Sequence, residues 1–161
     1  MKTTAKFMTA NPKTIRENAS LTEAYRTMQE LSVRHLPVLD ENLHVVGILS
    51  NRDLQRAMTI KKFGPIQQTY SFHPDLRVED FMSWPVYVVA DSTPLKLVAE
   101  QMLAQKVSAF VVENANGALC GIITTDDILR VFLLDQTKTG ETPLKGLAHY
   151  FLDPEAASST L

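Results

Sequence analysis

Two segments of this 161-residue chain carry a hydroxyl and a carboxylate at the same spacing. They read Gly47-Ile48-Leu49-Ser50-Asn51-Arg52-Asp53 and Gly121-Ile122-Ile123-Thr124-Thr125-Asp126-Asp127. In each, an apolar run ends in Ser or Thr and an Asp follows three residues later. One reading is a helix start, in which the hydroxyl caps the first turn and the Asp favours its positive end. The other puts the same geometry to work on a ligand. Amides and hydroxyl at a helix start hold a phosphate, and the carboxylate accepts both hydroxyls of a ribose. The readings are compatible, and finding the pair twice favours the second.

The two aspartates lie 74 residues apart, and the whole chain repeats at that interval. Phe7-Met8 lands on Phe81-Met82, Leu21 on Leu95, Met28 on Met102, Val33 on Val107, Val38 on Val112 and Arg56 on Arg130, without a gap. Such a repeat constrains the fold more than any single motif. Two copies related by a pseudo-twofold face each other across a cleft, a natural ligand site.

The elements that must position these residues are legible in both copies. In the first, Thr14-Ile15 is a short leading strand. Ser20 with Glu23 is a capping box. Leu21, Ala24, Tyr25, Met28 and Leu31 then make one apolar helical face. Leu36, Val38 and Leu39 form a strand, Asp40-Glu41-Asn42 a turn, and Val45 to Leu49 a strand apolar enough to be buried on both faces. Leu54, Ala57 and Met58 mark a second helix. In the second copy, Pro85 leads into a strand over Val86 to Val89. Thr93 is expected to cap a helix whose first residue is Pro94. Leu95, Val98, Ala99 and Met102 are its apolar face. Ala109 to Val112 and Leu119 to Ile123 are strands around the turn Asn114 to Gly117, and Thr124 opens the last helix. The expected fold class is α/β, two β-α-β-β-α repeats. Residues 1–60 hold the first and 78–135 the second. Residues 61–77, with Lys61, Lys62, Gly64, Pro65 and Pro74, are expected to be an irregular linker. Residues 136–161 are expected to be a partly disordered extension, where Leu144, Leu147, Tyr150, Phe151 and Leu152 suit a short docked helix and Glu155 to Leu161 frays.

Composition narrows the function. A net charge of −2 provides no field for nucleic acid or an anionic membrane. The single cysteine, Cys120, cannot form an internal disulfide and reads as a small core residue. No apolar run approaches the roughly 20 residues that span a bilayer, and the first ten residues lack the apolar stretch of a signal peptide. The expectation is a soluble, cytoplasmic protein. His44, His73 and His149 have no metal-ligand spacing. A Walker loop and a nucleophile–base pair are both missing, so the reading is a binding protein and not an enzyme. Trp84 reads as packing at the start of the second repeat.

Phe-Met-Thr and Phe-Met-Ser, Arg34-His35-Leu36-Pro37-Val38-Leu39-Asp40 and the two glycine-to-aspartate segments together resemble a tandem pair of CBS domains, which forms a Bateman module. The likeness covers roughly residues 3–135. It implies a cleft for an adenosine-containing ligand such as AMP, ADP, ATP, S-adenosylmethionine or NADH, and no resident cofactor or metal. Asp53 and Asp127 would take the ribose. Ser50, Asn51, Arg52, Thr124 and Thr125 would lie on the phosphate side. Arg34 and His35 would meet phosphate from the opposite repeat, whereas Ser108 and Ala109 stand at the matching places without charge. Strand residues Thr14, Ile15, Val88 and Phe110 would wrap the adenine. The Asp127 site, borrowing Arg34 and His35, is expected to bind more strongly than the Asp53 site, although Arg52 favours the latter and Asp126 opposes the former. The expected function is regulatory sensing, with output through an unidentified effector protein or a rearranged homodimer. The alternative is a ligand-free dimerisation module. The helix from Ile128 to Leu134, apolar around most of its surface, and its counterpart from Leu54 are the expected dimer face.

Overall fold

The computed structural model describes residues 2–63 and 67–136. The chain divides into two compact units, residues 1–128 and 129–161. The first unit contains every strand of the described residues. In chain order come β1 (Thr9–Ala10), β2 (Ile15–Arg16), α1 (Leu21–Leu31), β3 (His35–Leu39), β4 (Val45–Ser50), α2 (Asn51–Ala57), β5 (Thr59–Phe63), β6 (Gln67–Ser71), β7 (Val88–Ala90), α3 (Leu95–Gln105), β8 (Ala109–Glu113), β9 (Leu119–Thr124) and α4 (Thr125–Gln136). The expected β-α-β-β-α order holds in each repeat, as β2-α1-β3-β4-α2 and β7-α3-β8-β9-α4.

Each repeat builds one sheet, β2-β3-β4 and β1-β9-β8-β7. The leading strand runs parallel to its neighbour and the next pair is antiparallel, in both copies. Even the bulges match, between Val38 and Leu39 and between Val112 and Glu113. Ser20 Oγ accepts the Glu23 N–H and starts α1. Ser32 and Lys106 end α1 and α3 in the left-handed region. Leu21, Ala24 and Met28 of α1 are buried with Leu36, Val38, Leu49 and Leu54. Leu31, counted on that face from its spacing, is half exposed.

The leading segment of each repeat sits on the other repeat. Thr9 and Ala10 pair with Ile122 and Gly121 of β9. Reciprocally, Ser83 bridges Ile48 of β4 through two backbone bonds of 3.1 and 2.9 Å. A 3₁₀ turn at Thr4–Lys6 donates the Thr4 N–H to the Thr93 carbonyl at 2.9 Å, and one at Val78–Asp80 donates the Val78 N–H to the Ala19 carbonyl at 3.0 Å. Val78 is therefore in the core of the first repeat. The repeats share two crossing arms and could not be separated without breaking both sheets' edges.

Three expectations are corrected. Residues 61–77 are not wholly irregular: β5 and β6 pair antiparallel, Thr59 opposite Ser71 and Phe63 opposite Gln67. Thr59, Ile60, Phe63, Thr69 and Tyr70 have the branched and aromatic types that favour strands, and this outweighs the polar content. Thr93 does not cap α3 with its side chain; the helix starts at Leu95 after Pro94. The Thr93 carbonyl is instead the acceptor for the N-terminal arm, taking both the Thr4 N–H and the Thr4 hydroxyl, each at 2.9 Å. The strand expected over Val86 to Val89 is Val88–Ala90. The proposed docking helix of residues 144–152 lies outside the described residues.

Among the described residues no helix is long and apolar enough to cross a membrane. The described part of the second unit is the remainder of α4, where Leu129, Phe132, Leu133 and Leu134 are exposed. Leu54, paired with this helix in the expected dimer face, is fully buried and cannot serve there.

Candidate functional site

Both hydroxyl–carboxylate pairs form the helix start that their spacing suggests. Asp53 Oδ2 accepts from the Ser50 N–H at 2.8 Å and the Ser50 hydroxyl at 2.6 Å, while Ser50 Oγ accepts the Asp53 N–H at 3.3 Å. Asp127 Oδ2 accepts from the Thr124 N–H and hydroxyl, both at 2.8 Å. Each carboxylate is buried. The other oxygen of Asp53, Oδ1, takes the Arg56 guanidinium at 2.7 Å. The cap reading is therefore correct at Ser50, and at Thr124 the bonds to Asp127 close the same first turn. It also holds each Asp in a fixed orientation, which a ligand-binding carboxylate needs.

Asp53 opens onto a cleft of about 1050 Å³ between the two repeats. From the first repeat it is lined by His35, Ile48, Ser50, Arg52, Asp53, Gln55 and Arg56; from the second by Ser83 to Pro85, Tyr87, Met102, Leu103, Lys106 to Ala109 and Thr125. Three obligate cations, Arg52, Arg56 and Lys106, stand near one carboxylate. Two exposed rings, Trp84 and Tyr87, stand on the opposite wall. Trp84 is 73% exposed, so it is a surface ring of this cleft and not packing.

Where the repeats meet, His35 Nε2 lies 2.9 Å from Ser108 Oγ. Burial lowers the His35 pKa from its ordinary value, and the neighbouring Arg34 guanidinium lowers it further; Asp126 and Asp53 act against this. His35 is thus a neutral hydrogen-bonding group near pH 7. Arg34 reaches across to the second repeat. There it forms an exposed ion pair with Asp126, which neutralises the anion beside Asp127.

Of the residues expected on the phosphate side, Ser50, Arg52, His35 and Thr125 line the Asp53 cleft, whereas Asn51, Arg34 and Thr124 do not. His35, expected to serve the Asp127 site, stands in the Asp53 cleft. Thr14, Ile15, Val88 and Phe110 do not line this cleft either. Ile15 and Phe110 are core residues, while Tyr87 and Ala109, each one position earlier than an expected residue, line it. A one-residue shift along a strand moves a side chain to the opposite face. Phe110 supports Tyr87 from beneath, ring centroids 5.8 Å apart and edge to face.

Arg56, Trp84, Tyr87 and Lys106 were missed. Arg56 had a signal: it stands three residues after Asp53, on the same helical face, and recurs at the repeat interval as Arg130. Lys106 and the rings gave none, because they belong to the other repeat and share the cleft with Asp53 only in the folded chain. Cys120 is half-buried; desolvation, then Asp91 and Glu113, push its thiol pKa up, away from a reactive thiolate. Among the described residues no cluster of His, Cys, Asp or Glu is arranged to hold a metal.

The family model for the CBS domain matches residues 5–60 and 78–134. A chloroplastic CBS domain-containing protein of Arabidopsis thaliana, CBSX2, is 29% identical over 85% of this chain and 66% of its own. Homoserine O-acetyltransferase of Methanococcoides burtonii is 32% identical over 79% of this chain, which spans only 23% of that relative's length. Among solved structures, CBSX2 in complex with AMP superposes with a TM-score of 0.66 at 29% identity, covering 84% of this chain and 99% of the other. A protein of Vibrio cholerae described as a putative acetoin utilization protein gives 0.67 at 28% identity, covering 89% and 99%. A CBS domain pair in complex with 5′-methylthioadenosine and S-adenosyl-L-methionine gives 0.67 at 24% identity over 82% and 96%, a likeness of fold. With both repeats matched in order, and with the crossing arms and paired aspartates placed symmetrically, this chain belongs to the CBS domain family as a tandem pair.

Proposed function

We propose that this chain is a regulatory module that binds an adenosine-containing ligand between its repeats and passes the change to a partner, without a catalytic step of its own. The observation that carries the reading is Asp53: a buried carboxylate, oriented by Ser50, at the mouth of a cleft walled by Trp84 and Tyr87 and lined by Arg52, Arg56 and Lys106. A carboxylate suits a ribose diol, an aromatic wall suits a purine face, and the cations suit phosphate. The Arabidopsis relative solved with AMP supports the same ligand class. Ser50, Arg52, Thr125 and His35 serve the phosphate end in this reading, with Lys106 added. Tyr87 and Trp84 replace Val88 and Phe110 on the base side. Asp127 with Thr124 forms the second, weaker ribose site. The acetyltransferase activity named for one relative belongs to a protein of which this chain spans under a quarter, and it does not enter the proposal.

Calorimetric titration with AMP, ADP, ATP and S-adenosylmethionine tests this. At a free ligand concentration about 100 times Kd, a ligand that binds only the folded chain stabilises it by about 2.7 kcal/mol, so a clear rise in Tm accompanies binding. No heat and no shift with any of the four would leave only the dimerisation scaffold.

A further inference from the structure

Arg56 and Asp53 are locked together in a way that bears on which nucleosides the cleft accepts. A carboxylate offers about four lone-pair positions, two on each oxygen. At Asp53, Oδ2 has both positions filled by Ser50, through its N–H and its hydroxyl. Oδ1 accepts Arg56 Nη2 at 2.7 Å. One acceptor position is left, and a ribose diol needs two. The Ser50 bonds are part of the α2 capping box and cannot be given up without fraying the helix. The Arg56 bond can. The Arg56 side chain is 67% exposed, whereas that of Asp53 is 9% exposed, so the arginine is the mobile member of the pair. Arg56 also lines the same cleft as Arg52 and Lys106.

We propose that Arg56 is the specificity-determining residue of this cleft, a guanidinium that covers the ribose carboxylate and is released by the phosphate of the incoming nucleotide. The proposal rests on the reading of Asp53 as the ribose acceptor. A nucleoside without phosphate must displace Arg56 into water to seat its diol, and nothing replaces the lost ion pair. A nucleotide brings its own anion. Arg56 exchanges one carboxylate oxygen for a phosphate oxygen, and Asp53 becomes free to take both hydroxyls. The arginine thereby makes the phosphate a condition for ribose recognition. The cleft then discriminates against adenosine, and against adenosyl ligands that carry a positive charge where the phosphate would be.

The test compares the wild-type chain and Arg56→Met by calorimetry with adenosine, AMP and ATP. Methionine keeps the length and apolar stem without the charge. In R56M, adenosine is expected to bind about three- to tenfold more tightly, and AMP and ATP about three- to tenfold more weakly, the range for a partly exposed ion pair. The preference for AMP over adenosine thus falls by tenfold or more. Unchanged adenosine affinity in R56M overturns the proposal. So does equal tightening of adenosine and AMP, which would make Arg56 a blocking group and not a phosphate ligand. Asp53→Asn separates the two readings. If D53N weakens AMP and adenosine alike while R56M leaves adenosine unchanged, the ribose reading stands and the role of Arg56 falls. If D53N weakens neither, both fall. Thermal melting of R56M within a few degrees of wild type verifies that the variant is folded.

Discussion

Met82 of the second repeat lies against Gly47 of the first, so closely that a β-carbon on Gly47 would stand 2.5 Å from the methionine sulfur. The same relationship joins Met8 to Gly121, closer still. These contacts seat each crossing arm on the opposite sheet. Gly47→Ala should therefore destabilise the chain, by about 1–3 kcal/mol as for an overpacked core site. The Ser83 carbonyl, 3.1 Å from the same point, limits how far the arm can give way. Denaturant unfolding measures the loss. Adding Met82→Ala should recover part of it, because the two changes meet at one contact.

The His35–Ser108 contact predicts a pH dependence of stability. The folded-state pKa of His35 lies below its ordinary value of 6.5, chiefly through burial. The unfolded chain therefore binds more protons in the interval between the lowered value and 6.5. Stability from this group is complete above 6.5 and falls as pH is lowered through that interval, where the buried imidazole must charge beside Arg34. Tm measured from pH 7.5 to 5 should fall, and His35→Gln, which can still bond Ser108, should flatten the fall. Parallel profiles for the two proteins would refute the assignment.

Asp53 and Asp127 should not contribute equally to nucleotide affinity, and the predicted order is the reverse of the one expected from sequence. Asp53→Asn should reduce AMP affinity more than Asp127→Asn. A charged hydrogen bond contributes roughly 1.5–3 kcal/mol at either place. The difference comes from the surrounding charge. Arg52, Arg56 and Lys106 line the Asp53 cleft, whereas Arg34 is paired with Asp126 beside Asp127. Isotherms for the two variants decide it; a larger loss at Asp127 would mean that Arg34 leaves Asp126 for the ligand.

Self-association should run through α4 alone. Leu129, Phe132, Leu133 and Leu134 are each more than half exposed, and four adjacent large apolar side chains on a helix call for a cover. Light scattering should report twice the chain mass at micromolar concentration. Phe132→Asp with Leu133→Asp should return a monomer with its melting curve essentially intact. A wild-type monomer at that concentration would exclude this face.

The repeat itself, both helix starts and the β-α-β-β-α order were determined by sequence, because each depends on neighbours within one or two turns. Ser50 and Asp53 are three residues apart and need nothing else to meet. The duplication then read the same local grammar twice, which corrected for the weakness of either copy. What sequence left open lies at longer range. It could not tell that Tyr87 and Ala109, one place before Val88 and Phe110, line the Asp53 cleft, because β8 is apolar and buried nearly throughout and lacks the alternation that separates its two faces. It took 61–77 to be irregular because polar content masked the pairing of Thr59–Phe63 with Gln67–Ser71. It could not reveal that the arms cross, since Met8 meets Gly121 only after more than a hundred intervening residues have folded. The packing of the repeats placed Trp84 and Lys106 on the second wall of the Asp53 cleft and Arg34 on Asp126, so the charge around each aspartate depends on contacts between repeats as well as on neighbours in the chain such as Arg56.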